Sequence, residues 1–558
     1  MKRSTLFMLL TPLVVSIAVS CKQGDKNGAM IPADAGVVVH INSPSLTSKL
    51  SWKEIQQTNW FKEMYTEASD SLAKKLMDDP ENSGIDPKAD MVLFVKRQNQ
   101  GGYMAFQGSV KDADAFEAFN KNISKGAVTA TEGDFSSIVI ENKAVVTWND
   151  KRFVYVMDAP MGGASEYMLE GDGAQQSSSF PPDSLRKFGK SLFILDNENS
   201  LGENKRFSTL LKEDGDIHLW INTENLSGGL GAGMLSMMRL NVLLEGNVSA
   251  TTVNFGDGKI TMKSRQYYGK EMTDLIEKYS PKPISDDIVN RIPTQDVAAA
   301  FVMNYPPEGL KEFIKLIGVD GMVNGFLGKA GYSVDEFIKA NKGEIIVAFS
   351  DFKMENKTMT VPNEYGEPYT YSTNTPDIKF LFCASIRDKA AFDKLISTIN
   401  SQLPAEASEQ LSSKFNYKVN NNWFAASNSP EYVDKFLAGT NNKVPFADKI
   451  SGHPFGGYID IQKLLAATSS GITDSSAKDA INASIKLWQN VVFHGGEVKD
   501  GAMISEGEIN LMDKNTNSLK QLNQYLDVLS KSYKSKQRAI SFDSALPGNT
   551  DASTPVED

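Results

Sequence analysis

The sequence predicts an α+β protein built from two tandem homologous repeats, residues 31–285 and residues 286–536. Three observations support this fold class. Several sequence landmarks recur in the same order in both halves. Each half also contains an Asp-Gly pair between alternating apolar segments, a strong signal for a β-hairpin. Amphipathic helical segments separate the strands, and hairpin-joined strands favour largely antiparallel sheets with helices packed on one face.

Residues 1–20 have the features of a secretory signal peptide. Two cations precede an apolar run that reaches Val19, which is short for a helix that spans a membrane. Small residues then precede Cys21, so we expect cleavage before Cys21 and attachment of lipid to its sulfur. The alternative is an ordinary signal peptide with a coincidental cysteine. Residues 21–30 are polar and contain glycine, which predicts a flexible tether.

The predicted duplication rests on four pairs of matching segments. The second pair contains Asp112 and Asp388 at equivalent positions, where each is predicted to be either the N-cap or a first-turn acid of a helix. The fourth pair is the two Asp-Gly hairpins, and a helix is predicted after each of them. The pairs are 31–44 with 292–306, 108–117 with 384–393, 219–226 with 457–464, and Asp257-Gly258 with Asp500-Gly501.

Composition and charge restrict the function. The chain has 558 residues and is 41% hydrophobic, enough for several cores. Removal of Lys2 and Arg3 with the signal changes the formal net charge from −11 to −13. Because the chain also lacks a basic stripe, we predict that it does not bind nucleic acid. Residues 537–558 are acidic and contain proline and glycine, which predicts a disordered tail.

The sequence contains no pattern typical of a catalytic, metal or cofactor site, so we assign no catalytic residue, no metal ligand and no cofactor. Neither His-Glu-x-x-His nor Cys-x-x-Cys occurs. Each histidine is interpreted as structural, because His40, for example, aligns with Val302 in the other repeat. Cys383 lies in an apolar strand and is predicted to be a small buried hydrophobic residue. The four histidines are His40, His218, His453 and His494.

One insertion is a candidate binding loop. The second repeat carries residues 362–371 where the first repeat has only residues 98–102. The insertion contains two prolines and three tyrosines, Tyr365, Tyr369 and Tyr371. Loops on rigid scaffolds often carry function, and tyrosines form amphipathic contact surfaces. The alternative is a long hairpin that packs on its own body.

The lipobox-like segment before Cys21, the segments 31–35 and 37–42, and the large duplicated body resemble a domain-of-unknown-function family of Bacteroidota cell-envelope lipoproteins. The resemblance implies an envelope location and supplies no catalytic residues.

We therefore predict a non-enzymatic lipoprotein, tethered to the outer membrane and facing the periplasm. It would bind or scaffold other envelope proteins through the cleft between its repeats or through the tyrosine loop. The alternatives are a hydrolase of envelope polymers or glycans, and a glycan- or ligand-binding module. Converging carboxylates in a cleft would favour the hydrolase. A cleft lined with exposed aromatic residues would favour the glycan binder, and a large flat apolar patch would favour the scaffold.

Overall fold

The computed structural model describes residues 30–68, 71–98, 101–124, 126–159, 179–227, 239–362, 367–469, 472 and 474–543. Within these ranges the chain forms one antiparallel sheet of eighteen strands with helices packed on it, which confirms the predicted α+β class. The predicted signal peptide and Cys21 lie outside the described residues. Residues up to 285 are called the first half below, and the remainder the second half.

The strands of the first half are β1 (Val37–Ile41), β2 (Met91–Gln98), β3 (Gly101–Ser109), β4 (Ala130–Glu132), β5 (Phe135–Ile140), β6 (Ala144–Trp148), β7 (Arg152–Asp158), β8 (Ile217–Asn222), β9 (Val248–Gly256) and β10 (Lys259–Tyr267). Those of the second half are β11 (Val297–Asn304), β12 (Asn341–Pro362), β13 (Pro368–Ile386), β14 (Asn416–Val419), β15 (Trp423–Ser427), β16 (Phe455–Ile459), β17 (Trp488–Lys499) and β18 (Ala502–Leu511).

The helices described in the first half are α1 (Ser43–Lys49), α2 (Trp52–Gln56), α3 (Asn59–Glu67), α4 (Ser71–Asp78), α5 (Ala113–Ile123), α6 (Pro182–Phe193), α7 (Lys205–Leu211), α8 (Thr223–Ser227) and α9 (Lys270–Lys278). Those in the second half are α10 (Asp286–Val289), α11 (Pro307–Leu316), α12 (Asp320–Lys329), α13 (Val334–Ala340), α14 (Lys389–Gln402), α15 (Ala405–Lys414), α16 (Pro430–Ala438), α17 (Ala447–Ile450), α18 (Ile461–Ser469), α19 (Ser475–Leu487) and α20 (Ser518–Asp543). Short 3₁₀ helices occupy Pro80–Ser83, Asn197–Asn199, Leu201–Glu203 and Leu240–Leu243.

The sheet runs without interruption through both halves. Its strand order is β4-β5-β6-β7-β3-β2-β1-β8-β9-β10-β18-β17-β16-β11-β12-β13-β15-β14, and every pair is antiparallel. The halves join where β10 pairs with β18, and Lys263 lies opposite Glu506 at this junction. The division into repeats 31–285 and 286–536 stays a prediction, and the sheet does not end at it.

Helices cover both faces of the sheet in the first half, so the expectation of helices on one face is wrong there. Alternate residues of β7 enter two different cores: Val154 and Val156 join one, and Phe153 and Tyr155 join the other. The physical reason is visible in β6, whose five residues are all buried, because a strand covered on both faces is apolar at consecutive positions.

Several local predictions are confirmed. The Asp112 and Asp388 carboxylates each accept a hydrogen bond from a backbone N–H in the first turn of the following helix, at 2.9 Å in both cases. Strands β17 and β18 turn at Asp500 and Gly501, which both have positive φ angles, as a tight hairpin requires. Cys383 is fully buried in the core of the second half, and burial raises the pKa of its thiol.

The last helix corrects the predicted boundary of the tail. Residues 537–543, expected to be disordered, continue α20, and residues 544–558 lie outside the described residues. Extending a helix that has already formed is much easier than starting one. The segment 536–539 supplies Lys, Gln, Arg and Ala, all good helix formers, so the helix runs past the point where apolar periodicity ends.

The same helix crosses from the second half to the first. Leu519, at its start, is buried in a core formed otherwise by residues of the first half. Trp60 donates a hydrogen bond from its ring Nε1 to Asn523 Oδ1 at 3.1 Å. Lys520 donates from Nζ to Glu54 Oε1 at 2.6 Å. The C-terminal helix thus completes the packing of a unit that begins almost 500 residues earlier in the chain.

Candidate functional site

Strands β12 and β13 extend beyond the rest of the sheet as a two-stranded ribbon, residues 353–362 paired with residues 368–377. At about 3.3 Å per residue each arm is about 30 Å long. Neither arm pairs with another strand in the described part of the chain, since β11 pairs with β12 only up to Ser350 and β15 pairs with β13 only from Leu381. The outer backbone edges of the two arms are therefore unpaired in the described structure. Both faces of the outer ribbon are also open to solvent, as the exposure of residues 356–362 shows.

Two of the three predicted loop tyrosines lie on one face of this ribbon. Tyr369 is 58% exposed and Tyr371 is 38% exposed, and their rings stack with centroids 6.1 Å apart. Directly opposite them, Val361 faces Tyr369 and Met359 faces Tyr371. We call these four exposed side chains the tyrosine patch. The described part of the hairpin leaves this patch uncovered, which does not fit the alternative that it packs on its own body.

Tyr365, the third tyrosine of the predicted loop, lies outside the described residues. The opposite face of the ribbon is polar, and Thr360 and Thr370 place their hydroxyl oxygens 3.0 Å apart on it. The ribbon thus presents one apolar face and one polar face, both accessible.

A second candidate surface is a cleft of about 520 Å³ over the junction of the two halves. Thr261 and Lys263 of β10, with Glu506 and Glu508 of β18, form its floor, because directly paired residues of adjacent strands share a face. No Phe, Tyr or Trp lies among the described residues that line it. Further lining residues are Glu213, Asp214, Asp448, Lys449, His453 and His494.

Cationic partners hold the carboxylates on the cleft floor. Glu506 pairs with Lys263 at 3.2 Å, and Glu508 pairs with Lys259 at 2.7 Å. Burial raises the pKa of Glu508, but the hydrogen bond and charge of Lys259 outweigh burial, and the pKa lies below its usual value. A general acid must hold a proton near neutral pH, and an ion-paired carboxylate with a lowered pKa does not. Glu508 is therefore held as a salt-bridged carboxylate and is not suited to act as a general acid.

All four histidines occur in two pairs on the same face of the sheet as this cleft. His40 and His218 are buried cross-strand neighbours whose Nδ1 atoms are 3.1 Å apart. His453 and His494 stack with ring centroids 3.7 Å apart, and His453 also contacts the Glu497 carboxylate. Burial lowers the pKa of His494, and the proximity of His453 lowers it further.

Sequence reasoning missed both pairs, because it judged each histidine separately and no local motif connects them. His40 and His218 are 178 residues apart in the chain, and only the pairing of β1 with β8 brings them together. Across the described ranges, no group of three or more His, Cys, Asp or Glu side chains is placed to hold a metal ion. The described helices also include none with both the length and the hydropathy needed to span a bilayer.

These features define an α+β protein with one continuous sheet, a projecting apolar ribbon and a polar central cleft. The chain belongs to the family described as Domain of unknown function (DUF4836), whose model matches residues 28–363, more than half of the chain. The matched range crosses the predicted boundary between the repeats and includes all of β12.

Among solved structures, crystal forms III, IV and I of TP0453 are similar to parts of this chain. Their sequence identities are 11%, 12% and 12%, and their TM-scores are 0.24, 0.23 and 0.23. Each alignment covers 46% of this chain, and 87%, 88% and 86% of the TP0453 chain respectively. TM-scores in this range do not establish a shared fold. A search of curated proteins found no significant match.

Proposed function

We propose that this protein is an exported, non-enzymatic lipoprotein of the Bacteroidota cell envelope that binds another envelope protein through its ribbon. The observation that carries the proposal is the tyrosine patch, an apolar surface held about 30 Å out from the sheet on a paired ribbon. The signal-like segment and Cys21 support export and lipid attachment, with the protein on the outer membrane and facing the periplasm.

The chemistry of the ribbon suits a protein partner. Tyrosine offers a large, amphipathic contact area and loses little conformational freedom on binding, and aromatic residues dominate binding energy at protein interfaces. The rings of Tyr369 and Tyr371 already contact each other in the free protein, and such preorganisation would lower the entropic cost of association. The free outer edges of the two arms also present unpaired backbone groups, to which an extended segment of a partner can add as a further strand.

The cleft supports a binding role less well. Its floor carboxylates are already paired with lysines, which disfavours a hydrolase. Its described lining contains no aromatic ring other than histidine, which disfavours a glycan-binding site, since sugars are usually held against aromatic faces. Five carboxylates do converge on the cleft, but the two on its floor are ion-paired, so the ribbon is the better supported binding surface.

The test is crosslinking from native membranes followed by capture of this protein. Three forms are compared with the wild type: Cys21→Ser, the double variant Tyr369→Ser with Tyr371→Ser, and a matched control, Thr360→Ala with Thr370→Ala. The control alters the opposite face of the same ribbon, so it separates the apolar face from the ribbon as such.

We expect defined envelope proteins with the wild type and with the threonine control. The tyrosine variant should lose them, with capture reduced about 30-fold if the two rings act as an interface hot spot of about 2 kcal/mol. The Cys21→Ser form should leave the membrane fraction. Equal capture by the tyrosine variant and the wild type would exclude the ribbon as the binding surface. Wild-type protein without an acyl group on Cys21, shown by mass spectrometry, would exclude the anchor.

A further inference from the structure

Helix α12 exposes an apolar face that no part of the described chain covers. Met322 is 66% exposed and Phe326 is 74% exposed, and their spacing of four residues places them on one side of the helix. Its only charged residues are Asp320 and Lys329, at its two ends. We infer that this face rests on a lipid surface, the membrane to which Cys21 tethers the protein. The inference rests on the lipid anchor proposed above.

The glycine side of the helix is also uncovered, whereas Val323 and Leu327 are half-buried. A Cβ atom placed on Gly321, Gly325 or Gly328 would meet no other atom within 4 Å, so the glycine side faces open space. Helices of soluble proteins usually bury one side against a core. Helix α12 contacts α11 and α13 on one side, but the described structure leaves Met322 and Phe326 largely exposed, and an exposed apolar face of this kind is typical of an interaction surface.

The charges around α12 suit a lipid surface rather than a charged protein. Acidic residues on the neighbouring helices α11 and α13 are paired with cations, which reduces their repulsion of anionic lipid head groups. The helix itself contributes one acid and one base, so contact with lipid would depend mainly on apolar burial. The neighbouring pairs are Lys315 with Glu312, Lys311 with Asp335, and Lys394 with Glu336.

A line of contacts connects α12 with the start of the described chain, where the tether ends. Met30 and Tyr267 belong to the same core, and Tyr267 is the last residue of β10. The next helix, α9, leads to Tyr279, whose side chain lies against Gly309 of α11. Helix α12 follows α11 directly. Met30 is the ninth residue after Cys21, so the tether reaches at most about 30 Å, and the anchored protein must stay near the bilayer.

The ribbon lies at the far end of β12, away from the helices α12 and α13 that precede this strand. Helix α13 leads into β12 at Asn341, and β12 ends at Pro362, one residue beyond Val361 of the tyrosine patch. A strand of 22 residues is about 70 Å long, so α12 and the tyrosine patch lie far apart. A protein resting on α12 would present its ribbon away from that contact, where a partner can reach it.

The experiment places an environment-sensitive nitrobenzoxadiazole dye on α12 of the full-length, acylated protein. Phe326→Cys provides the attachment site, because Cys383 is buried and Cys21 carries lipid. Thr360→Cys, on the ribbon, is the matched control. Both proteins are reconstituted on vesicles of phosphatidylethanolamine and phosphatidylglycerol. We expect the dye at position 326 to brighten several-fold, shift to the blue and be quenched by spin-labelled lipid, and the dye at position 360 to remain in water.

A second measurement removes the anchor. In the Cys21→Ser protein, replacing Met322 and Phe326 with serine should lower the vesicle partition coefficient about a hundredfold, the effect of returning two large apolar side chains to water at about tenfold each. If wild-type protein floats with vesicles while position 326 still reports water, the contact of α12 with lipid is refuted and the anchor stands. If mass spectrometry finds no lipid on Cys21 but position 326 enters the bilayer, the anchor fails and the helix contact is supported. Burial of the dye without vesicles, increasing with protein concentration, would show that a second copy covers α12 and would overturn the inference.

Discussion

Replacing Leu519 with alanine should destabilise the first half of the protein, although Leu519 belongs to the last helix of the chain. The side chain is 6% exposed and lies in a core whose other buried members come from the first half, including Ile55 and Phe61. Because α20 follows β18, this contact joins the end of the chain to its beginning. The variant therefore tests whether the two halves fold as one unit.

The expected loss follows from the burial of Leu519. Deletion of a buried leucine side chain to alanine lowers the free energy of unfolding by about 2–5 kcal/mol, depending on how far the surrounding residues close the cavity. Helices α2 and α3, which border the site, are only five and nine residues long and can shift towards the space. We therefore expect a loss of about 2–3 kcal/mol, in the lower part of that range.

The measurement is urea unfolding followed by circular dichroism and by tryptophan fluorescence. Leu526→Ala is the matched control, because Leu526 lies on the same helix but is 47% exposed, and its loss should be about 0.5 kcal/mol or less, as is usual for a surface substitution. A loss of less than about 1 kcal/mol for Leu519→Ala would refute the packing argument. Separate transitions for the two probes in the wild type would refute the argument that the halves unfold together.

The remaining predictions concern single contacts. The hydrogen bond from Lys520 lowers the pKa of Glu54 to about 2, so this pair adds stability above pH about 4.5 that is lost as the pH falls towards 2. Lys520→Met should therefore weaken the pH dependence of the urea unfolding midpoint over that range. Asp388→Ala removes a helix cap and should lower the unfolding free energy by about 0.5–2 kcal/mol in urea titrations. Asn120→Ala leaves the buried Tyr155 hydroxyl without its 2.8 Å acceptor and should lower thermal stability by about 1–3 kcal/mol, an effect that Tyr155→Phe should largely relieve in the double variant.

Features set by neighbouring residues could be predicted from the sequence, whereas those set by distant residues could not. The caps at Asp112 and Asp388 are visible because the carboxylate binds a backbone N–H three residues away. The Asp500-Gly501 turn is visible for the same reason, since both residues must adopt positive φ angles. The burial of Cys383 follows from the apolar run around it.

The candidate surfaces depended on long-range pairing. The tyrosines could be identified as part of an insertion, but their exposure depends on where neighbouring strands stop, which local sequence does not encode. The stacked pair His453 and His494 requires β16 and β17 to lie side by side, and the cleft requires β10 to meet β18. The exposed face of α12 was missed because its apolar residues are as compatible with a core helix as with a surface one.

The duplication stays a prediction, and the register at the junction of the two halves is compatible with it. Lys263 and Glu506 each lie six residues after the Asp of their Asp-Gly hairpin, and they face each other directly across the β10–β18 pair. Equivalent residues of two repeats meet in this way when a local twofold axis passes between them. The helix after each hairpin also packs on the opposite half: α9 against α11, and α20 against α3. Two such exchanged helices and a shared strand pair resist hinge motion, so we expect the ribbon to bind its partner without relative movement of the halves.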